Sequence, residues 1–318
     1  MYETYYGLSA KPFQLRPDPH FYFGSKGHKR AMAYLEYGLS QGEGFIVITG
    51  EVGAGKTTLV RNLFNRLPKD QIVAAHIVNT HLEAEDTLRM TVSGFGLPAD
   101  GSKAELLARL EQFLRTCDRQ GKRALLVVDE AQNLNPRTVE ELRMLSNFQT
   151  DSKSLLQTFL LGQPEFRATL HSPGMQQLRQ RVIATYHLSP LDAQETRAYN
   201  EHRLQTVGWK GTPSFSDDAH EAIYAYSGGI PRKTNTLCDR VLLMGYLEEL
   251  NAFTRAEVET VVRDIADEFA VPGQELPPET APAVADDRIA RLEQSLVSVI
   301  SLLKNIMPAP QGALEVRK

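Results

Sequence analysis

The sequence predicts an α/β domain built on a parallel sheet, followed by a small all-helical domain. Three observations carry that expectation. Apolar runs at Phe45–Thr49, Ile72–Val78, Ala124–Val128, Leu155–Leu161 and, more weakly, Ile183–Leu188 have strand length and are nearly apolar on both faces, as strands read when helices cover both sides of a sheet. Helical stretches lie between them. After Pro190 the strand-like runs stop while helix start and stop signals continue. A length of 318 residues leaves room for about two such domains.

The segment 1–24 is rich in aromatic side chains (Tyr2, Tyr5, Tyr6, Phe13, Phe21, Tyr22, Phe23) and is expected to pack on the core, with a lesser alternative of lining a base pocket. Residues 25–190 form the α/β domain, with helices expected at Lys56–Leu67, Ala84–Gly94, Lys103–Arg119, Arg137–Phe148 and Pro173–Val182. Residues 191–269 read as helical. Asp192 with Glu195 and Thr254 with Glu257 have capping-box spacing, Ser216 is a third cap, and Gly228-Gly229 is a stop. Residues 270–286 are rich in Pro, Ala and Glu and read as a linker. In 287–307, Ile289, Leu292, Leu296, Val299, Leu303 and Ile306 recur at spacings of 3 and 4. That seam suits a short coiled-coil helix or one amphipathic helix lying on the body.

Charge and composition narrow the function classes. Lys plus Arg number 35 against 39 Asp plus Glu, a net −4, which argues against a surface coated for nucleic acid. Two cysteines, Cys117 and Cys238, are too few for a disulfide framework. No basic start with an apolar core opens the chain, and no run approaches the ~18 apolar residues of a membrane span. A cytoplasmic protein is expected, with a peripheral place at the inner membrane face as its alternative. The eight histidines are scattered without the spacing of a zinc site.

The sharpest signal is Gly50-Glu51-Val52-Gly53-Ala54-Gly55-Lys56-Thr57, followed by Thr58. It fits G-x-x-x-x-G-K-[ST] directly after a strand and opening a helix. Glycines there let backbone N–H groups wrap a phosphate at the positive end of the helix dipole. Lys56 suits the β- and γ-phosphates of ATP, and the Thr57 hydroxyl a Mg²⁺ ion. A second buried strand ends in Asp129-Glu130, 73 residues beyond Lys56. Asp129 has the place of the acid that holds the magnesium, and Glu130 that of a group polarising water for attack. The pair points to hydrolysis rather than binding alone.

These residues resemble the AAA+ ATPases, more narrowly the ExeA/GspA-type secretion ATPases, which are also similar to the transposition regulators TnsC and MuB. The resemblance covers residues 1–269. It rests on Tyr6-Gly-Leu-Ser-Ala-Lys-Pro-Phe13, Pro17-Asp-Pro19, the phosphate loop, Asp129-Glu-Ala-Gln-Asn-Leu134, Gly162-Gln-Pro164 and Gly228-Gly-Ile-Pro-Arg232. The opening looks like that of the ATPase found with exosortase/PEP-CTERM exopolysaccharide loci. It implies a five-stranded sheet in 5-1-4-3-2 order and a helical lid. It also implies a sensor 1 role for Gln163, a sensor 2 role for Arg232, and for Arg181 an arginine finger reaching a neighbouring subunit, with Arg179 as its alternative. A homo-oligomeric ring or partial ring follows, serving export or exopolysaccharide assembly, with the C-terminal helix as a docking element for envelope machinery. The alternatives are a TnsC/MuB-like regulator on DNA, disfavoured by net charge, and a nucleotide-gated scaffold with negligible turnover. No segment matches the peptidoglycan-binding module of two-domain ExeA-type proteins.

Overall fold

In a computed structural model of the chain, residues 1–68, 70–78, 83–151 and 153–269 are described. The linker at 270–286 and the seam at 287–307 lie outside them. Five strands form one parallel sheet: β1 (Phe45–Gly50), β2 (Ile72–Ile77), β3 (Arg123–Val128), β4 (Leu156–Gly162) and β5 (Val182–Leu188). Their spatial order is β2-β3-β4-β1-β5, the expected order read from the other edge. Thr49 of β1 pairs with Gly162 of β4 and His187 of β5, and Val128 of β3 pairs with Leu160 of β4. The chain segments leaving β1, β3 and β4 therefore emerge side by side at one edge of the sheet.

The double-sided apolar runs have a direct structural cause. Leu125, Val127, Phe159 and Leu161 face a cluster with Ala31, Met32, Leu35, Leu59 and Leu63, whereas Leu126, Val128 and Leu160 face a second with Leu88, Leu106, Leu110 and Leu142. Alternate side chains of each strand enter opposite cores, and every residue of β1 and β4 is buried. At about 1.5–3 kcal/mol per fully buried large aliphatic side chain, these two faces dominate the stability.

Helix Lys26–Gln41, capped by Ser25, packs across β1. Its Gly38 leaves no room for a side chain, since a Cβ there would lie 2.4 Å from Ile46 Cγ1. The sequence reading omitted this helix and Glu165–His171. The helix expected over Pro173–Val182 is instead a 3-10 turn, Pro173–Met175, and a single helical turn, Gln176–Arg179, before β5 begins at Val182.

Among the described residues beyond Pro190 four helices follow: Ala193–Thr206, Asp217–Ser227, Pro231–Leu247 and Arg255–Phe269. Both bonds of the Asp192–Glu195 capping box are present, Ser216 caps through the Ala219 N–H, and Gly228 ends its helix in the left-handed conformation at φ 56°. Thr254 donates its N–H and its hydroxyl to Glu257 at 2.6 Å. The region is not wholly helical. Ser214–Phe215 and Ala252–Phe253 form a two-residue parallel pair, too short for an apolar period to announce.

The N-terminal segment differs from expectation in where its aromatic side chains go. Tyr2, Tyr6, Phe13 and Phe21 join the helical domain's core with Leu204, Ile223, Leu237 and Val241, rather than packing mainly on the α/β domain. Buried Arg203 fixes the segment there, donating to the carbonyls of Pro12 at 2.5 Å and Gln14 at 3.1 Å. One tie runs the other way, from Arg61 of helix Lys56–Arg66 to the Pro17 carbonyl at 2.7 Å. Among the described residues, no helix is long and apolar enough to cross a membrane.

Candidate nucleotide site

Between β1 and the helix Lys56–Arg66 the chain turns through two left-handed glycines, Gly53 at φ 83° and Gly55 at φ 98°. Neither position tolerates a side chain. A Cβ on Gly53 would lie 2.3 Å from Arg232 Cβ, and one on Gly55 2.8 Å from His28 Nε2. The loop is thus held between the first turn of helix Pro231–Leu247 and a buried histidine. The Arg232 N–H donates to the Gly53 carbonyl at 3.3 Å. His28 is fixed by the Ser25 hydroxyl at 2.7 Å from its Nδ1. Burial holds the His28 pKa below the ordinary histidine value, against an opposing hydrogen bond with Ala54 backbone.

Lys56 is buried, and its Nζ donates to the carbonyls of Gly50 at 2.7 Å and Glu51 at 3.0 Å. Burial pushes its pKa down, while Glu130, Asp129 and Glu51 oppose the shift. The Thr57 hydroxyl donates to Asp129 Oδ2 at 2.7 Å. Asp129 is only 2% exposed. Burial pushes its pKa up, but the nearby His76 ring and hydrogen bonds from Thr57 and the Glu130 N–H outweigh this and leave it below the usual value. His76 Nε2 stands 3.8 Å from Asp129 Oδ2, beyond hydrogen-bond distance.

Glu130 has φ 53° and ψ 42°, a left-handed conformation that costs a non-glycine residue on the order of 1 kcal/mol or more. The kink separates the two acids. Asp129 turns to Thr57, whereas Glu130 lines the cavity with Gln163, Lys56 and Arg232. Gln132 donates from Nε2 to Glu130 Oε2 at 2.7 Å and accepts the Gln163 N–H at 3.0 Å; Gln163 Nε2 lies 3.4 Å from the same Oε2.

The cavity enclosed by these groups has a volume of about 280 Å³. A smaller one of about 60 Å³ adjoins it across Gly55, Thr58, Tyr199, Arg203 and Pro231, and is lined by Phe21, Tyr22 and Phe23. Part of the aromatic segment thus lies beside the larger cavity. The structure brings together Lys56, Thr57, Asp129, Glu130, Gln163 and Arg232. It does not bring Arg181 to them: Arg181 donates to Ser146 Oγ at 2.6 Å and lines a larger cavity of about 740 Å³ where β1, β4 and β5 begin, at the sheet's other edge. Arg179 is spent on the carbonyls of Leu170 and Ser172, at 2.6 and 2.9 Å.

Sequence reasoning assigned no role to His28, His76, Arg203 or Gln132. Gln132 was within reach, three residues after Asp129 in the quoted Asp129–Leu134 run. The others meet the site only through tertiary structure, which spacing does not encode.

Comparison with known proteins matches residues 39–170 to an AAA domain. General secretion pathway protein A of Aeromonas hydrophila is 39% identical over 269 residues, 84% of this chain and 49% of that protein. The chain thus spans about half the length of that relative. Among solved structures, the fold is similar to ORC2 of Aeropyrum pernix, determined as ADPNP-ADP complexes, with a TM-score of 0.62 and 17% identity over 80% of this chain and 72% of that one. Cdc6p of Pyrobaculum aerophilum gives 0.61 and 19%, over 78% and 71%. The Holliday junction branch migration motor RuvB of Thermotoga maritima gives 0.52 and 21%, over 76% and 69%. At these identities the likeness is one of fold.

Proposed function

We propose that this chain, in which residues 39–170 match an AAA domain and which is similar to general secretion pathway protein A, is a magnesium-dependent, oligomeric ATP switch serving secretion, in an envelope-export or exopolysaccharide system. One observation carries the reading: a phosphate-loop lysine, two carboxylates with separate partners and a lid arginine converge on one cavity. A hydroxyl and a carboxylate 2.7 Å apart are a hard, all-oxygen donor pair, the set that magnesium takes beside phosphates. Thr57 and Asp129 would hold that ion, which supplies charge neutralisation on the phosphate oxygens.

The protein's own part follows from its geometry. Lys56 exchanges the carbonyls of Gly50 and Glu51 for phosphate oxygens, so its charge is already in place and little reorganisation is needed. Glu130, kinked away from Asp129, orients a water and takes its proton. Gln163 contacts that water or the terminal phosphate. Arg232, whose backbone is bonded to Gly53, brings positive charge from the helical domain and ties its position to the phosphates. The aromatic pocket of Phe21, Tyr22 and Phe23 takes the base. Arg181 faces away from its own cavity and serves as the finger for a neighbour's nucleotide, whereas Arg179 holds its local turn. The apolar seam at 287–307 is the docking element for an envelope partner.

Phosphate release should therefore rise more steeply than linearly with protein concentration and vanish with a chelator. Arg181→Ala should keep nucleotide affinity but lose about a thousandfold in assembled turnover, with Arg179→Ala near wild type in turnover and less stable. Turnover linear in concentration and unchanged by Arg181→Ala would remove the trans-acting arginine and the oligomer with it. An electrophoretic shift with ATP at moderate salt would move the pathway reading to DNA.

A further inference from the structure

We propose that Gln132 is a positioning residue that locks the Glu130 carboxylate to the segment leaving β4, so that the attacking base and the γ-phosphate sensor move as one unit. This rests on the reading of Glu130 as the base and of Gln163 as the sensor.

The carboxamide of Gln132 bridges two groups on different elements. Its Nε2 donates to Glu130 Oε2 at 2.7 Å, and its Oε1 accepts the backbone N–H of Gln163 at 3.0 Å. The orientation of the amide is fixed by those partners, because the flipped form would set oxygen against a carboxylate and NH₂ against an N–H. Glu130 and Gln132 lie on either side of Ala131, which is fully buried and anchors the 3-10 turn Ala131–Asn133. Gln132 is thus presented from a rigid turn, whereas Gln163 follows the last residue of the fully buried strand β4.

The bond to Oε2 has a consequence for the chemistry. An ionised carboxylate offers two oxygens, and Gln132 and Gln163 both aim at Oε2, at 2.7 and 3.4 Å. The short bond sets the plane of the carboxylate that takes a water proton. Because the Gln132 oxygen is held by the Gln163 N–H, a shift of the residue that touches the terminal phosphate is carried to the base through one rigid amide. A side chain lacking either half of this bridge removes the short bond that orients Glu130 or its tie to Gln163. Displacements of about 1 Å at such positions cost on the order of a hundredfold in rate.

The test compares Gln132→Ala and the isosteric Gln132→Glu, which keeps the size but cannot donate to Oε2, each in the wild-type and Glu130→Gln backgrounds. Steady-state kinetics, single-turnover phosphate release, ATP affinity and melting temperature are read for all. The expected result is a 10- to 100-fold fall in kcat for both variants, with ATP affinity and melting temperature unchanged. In the Glu130→Gln background no further fall is expected, since Gln132 acts only through Glu130. A wild-type kcat for either variant beside a slow Glu130→Gln overturns this inference alone. So does an equal fractional loss in both backgrounds. Wild-type turnover by Glu130→Gln itself overturns the underlying base assignment instead.

Discussion

Lys56 illustrates how a residue is prepared before its ligand arrives. Its ammonium is buried, bonded to two loop carbonyls and within the field of four carboxylates. Replacing it with alanine should leave a folded protein whose affinity for ATP falls about tenfold to a hundredfold, the range for hydrogen bonds to charged groups. Isothermal titration checks this directly. The pH dependence has a definite sign. Burial lowers the pKa of Lys56 in the free protein, so the cation is lost below the ordinary lysine value of about 10.4. The alkaline limb of kcat/KM, which reports the free enzyme, should therefore fall below that value. A limb at or above it would mean that the carboxylates outweigh burial. At this scale the sequence was legible where chemistry is local: Lys56, Thr57, Asp129 and Glu130 stand in fixed spacing to strand ends. Nothing local announces that His28 sits under Gly55 or that Arg203 grips the N-terminal segment.

Among elements, the contact between the phosphate loop and the lid is close enough to be read from backbone geometry. Gly53 has φ 83° and would place a Cβ 2.3 Å from Arg232 Cβ. Alanine there meets a left-handed penalty of about 1–2 kcal/mol and must push helix Pro231–Leu247 outward. Gly53→Ala should weaken ATP binding and lower kcat together, because the displaced helix carries Arg232. A wild-type kcat, measured with saturating ATP, would show that the lid need not touch the loop. The four lid helices were legible from caps at Asp192, Ser216 and Gly228, since capping is a local contract between side chain and backbone. The expected helix at Pro173–Val182 failed for an equally local reason. Pro173 and Gly174 favour a turn, and only four residues remain before Arg179 is bound by the carbonyls behind it.

For the whole molecule, the strand order places the ends of β1, β3 and β4 together, and the cavity at that edge gathers groups up to 221 residues apart in sequence, Gln14 to Asn235. Residues Met1–Asp267 form one compact unit, in which the N-terminal segment, the sheet and the lid each supply a wall of the site. The apolar runs made the sheet legible, but its order came from resemblance, since pairing is a long-range property that periodicity does not carry. The packing of Tyr2, Tyr6, Phe13 and Phe21 into the lid was not legible for the same reason. The segment is held to the lid by Arg203 and the Ser9 N–H to Val207 carbonyl bond of 2.9 Å, partners far away in sequence.

The claim on which the rest depends is that Glu130 drives cleavage of a triphosphate that the 50–57 loop has already gripped. Paired measurement of ATP affinity and single-turnover phosphate release on Glu130→Gln separates the two steps. The account predicts affinity within about twofold of wild type and release slowed by about 10²–10⁴, the reach of general base catalysis. Release at the wild-type rate, with affinity intact, would contradict it.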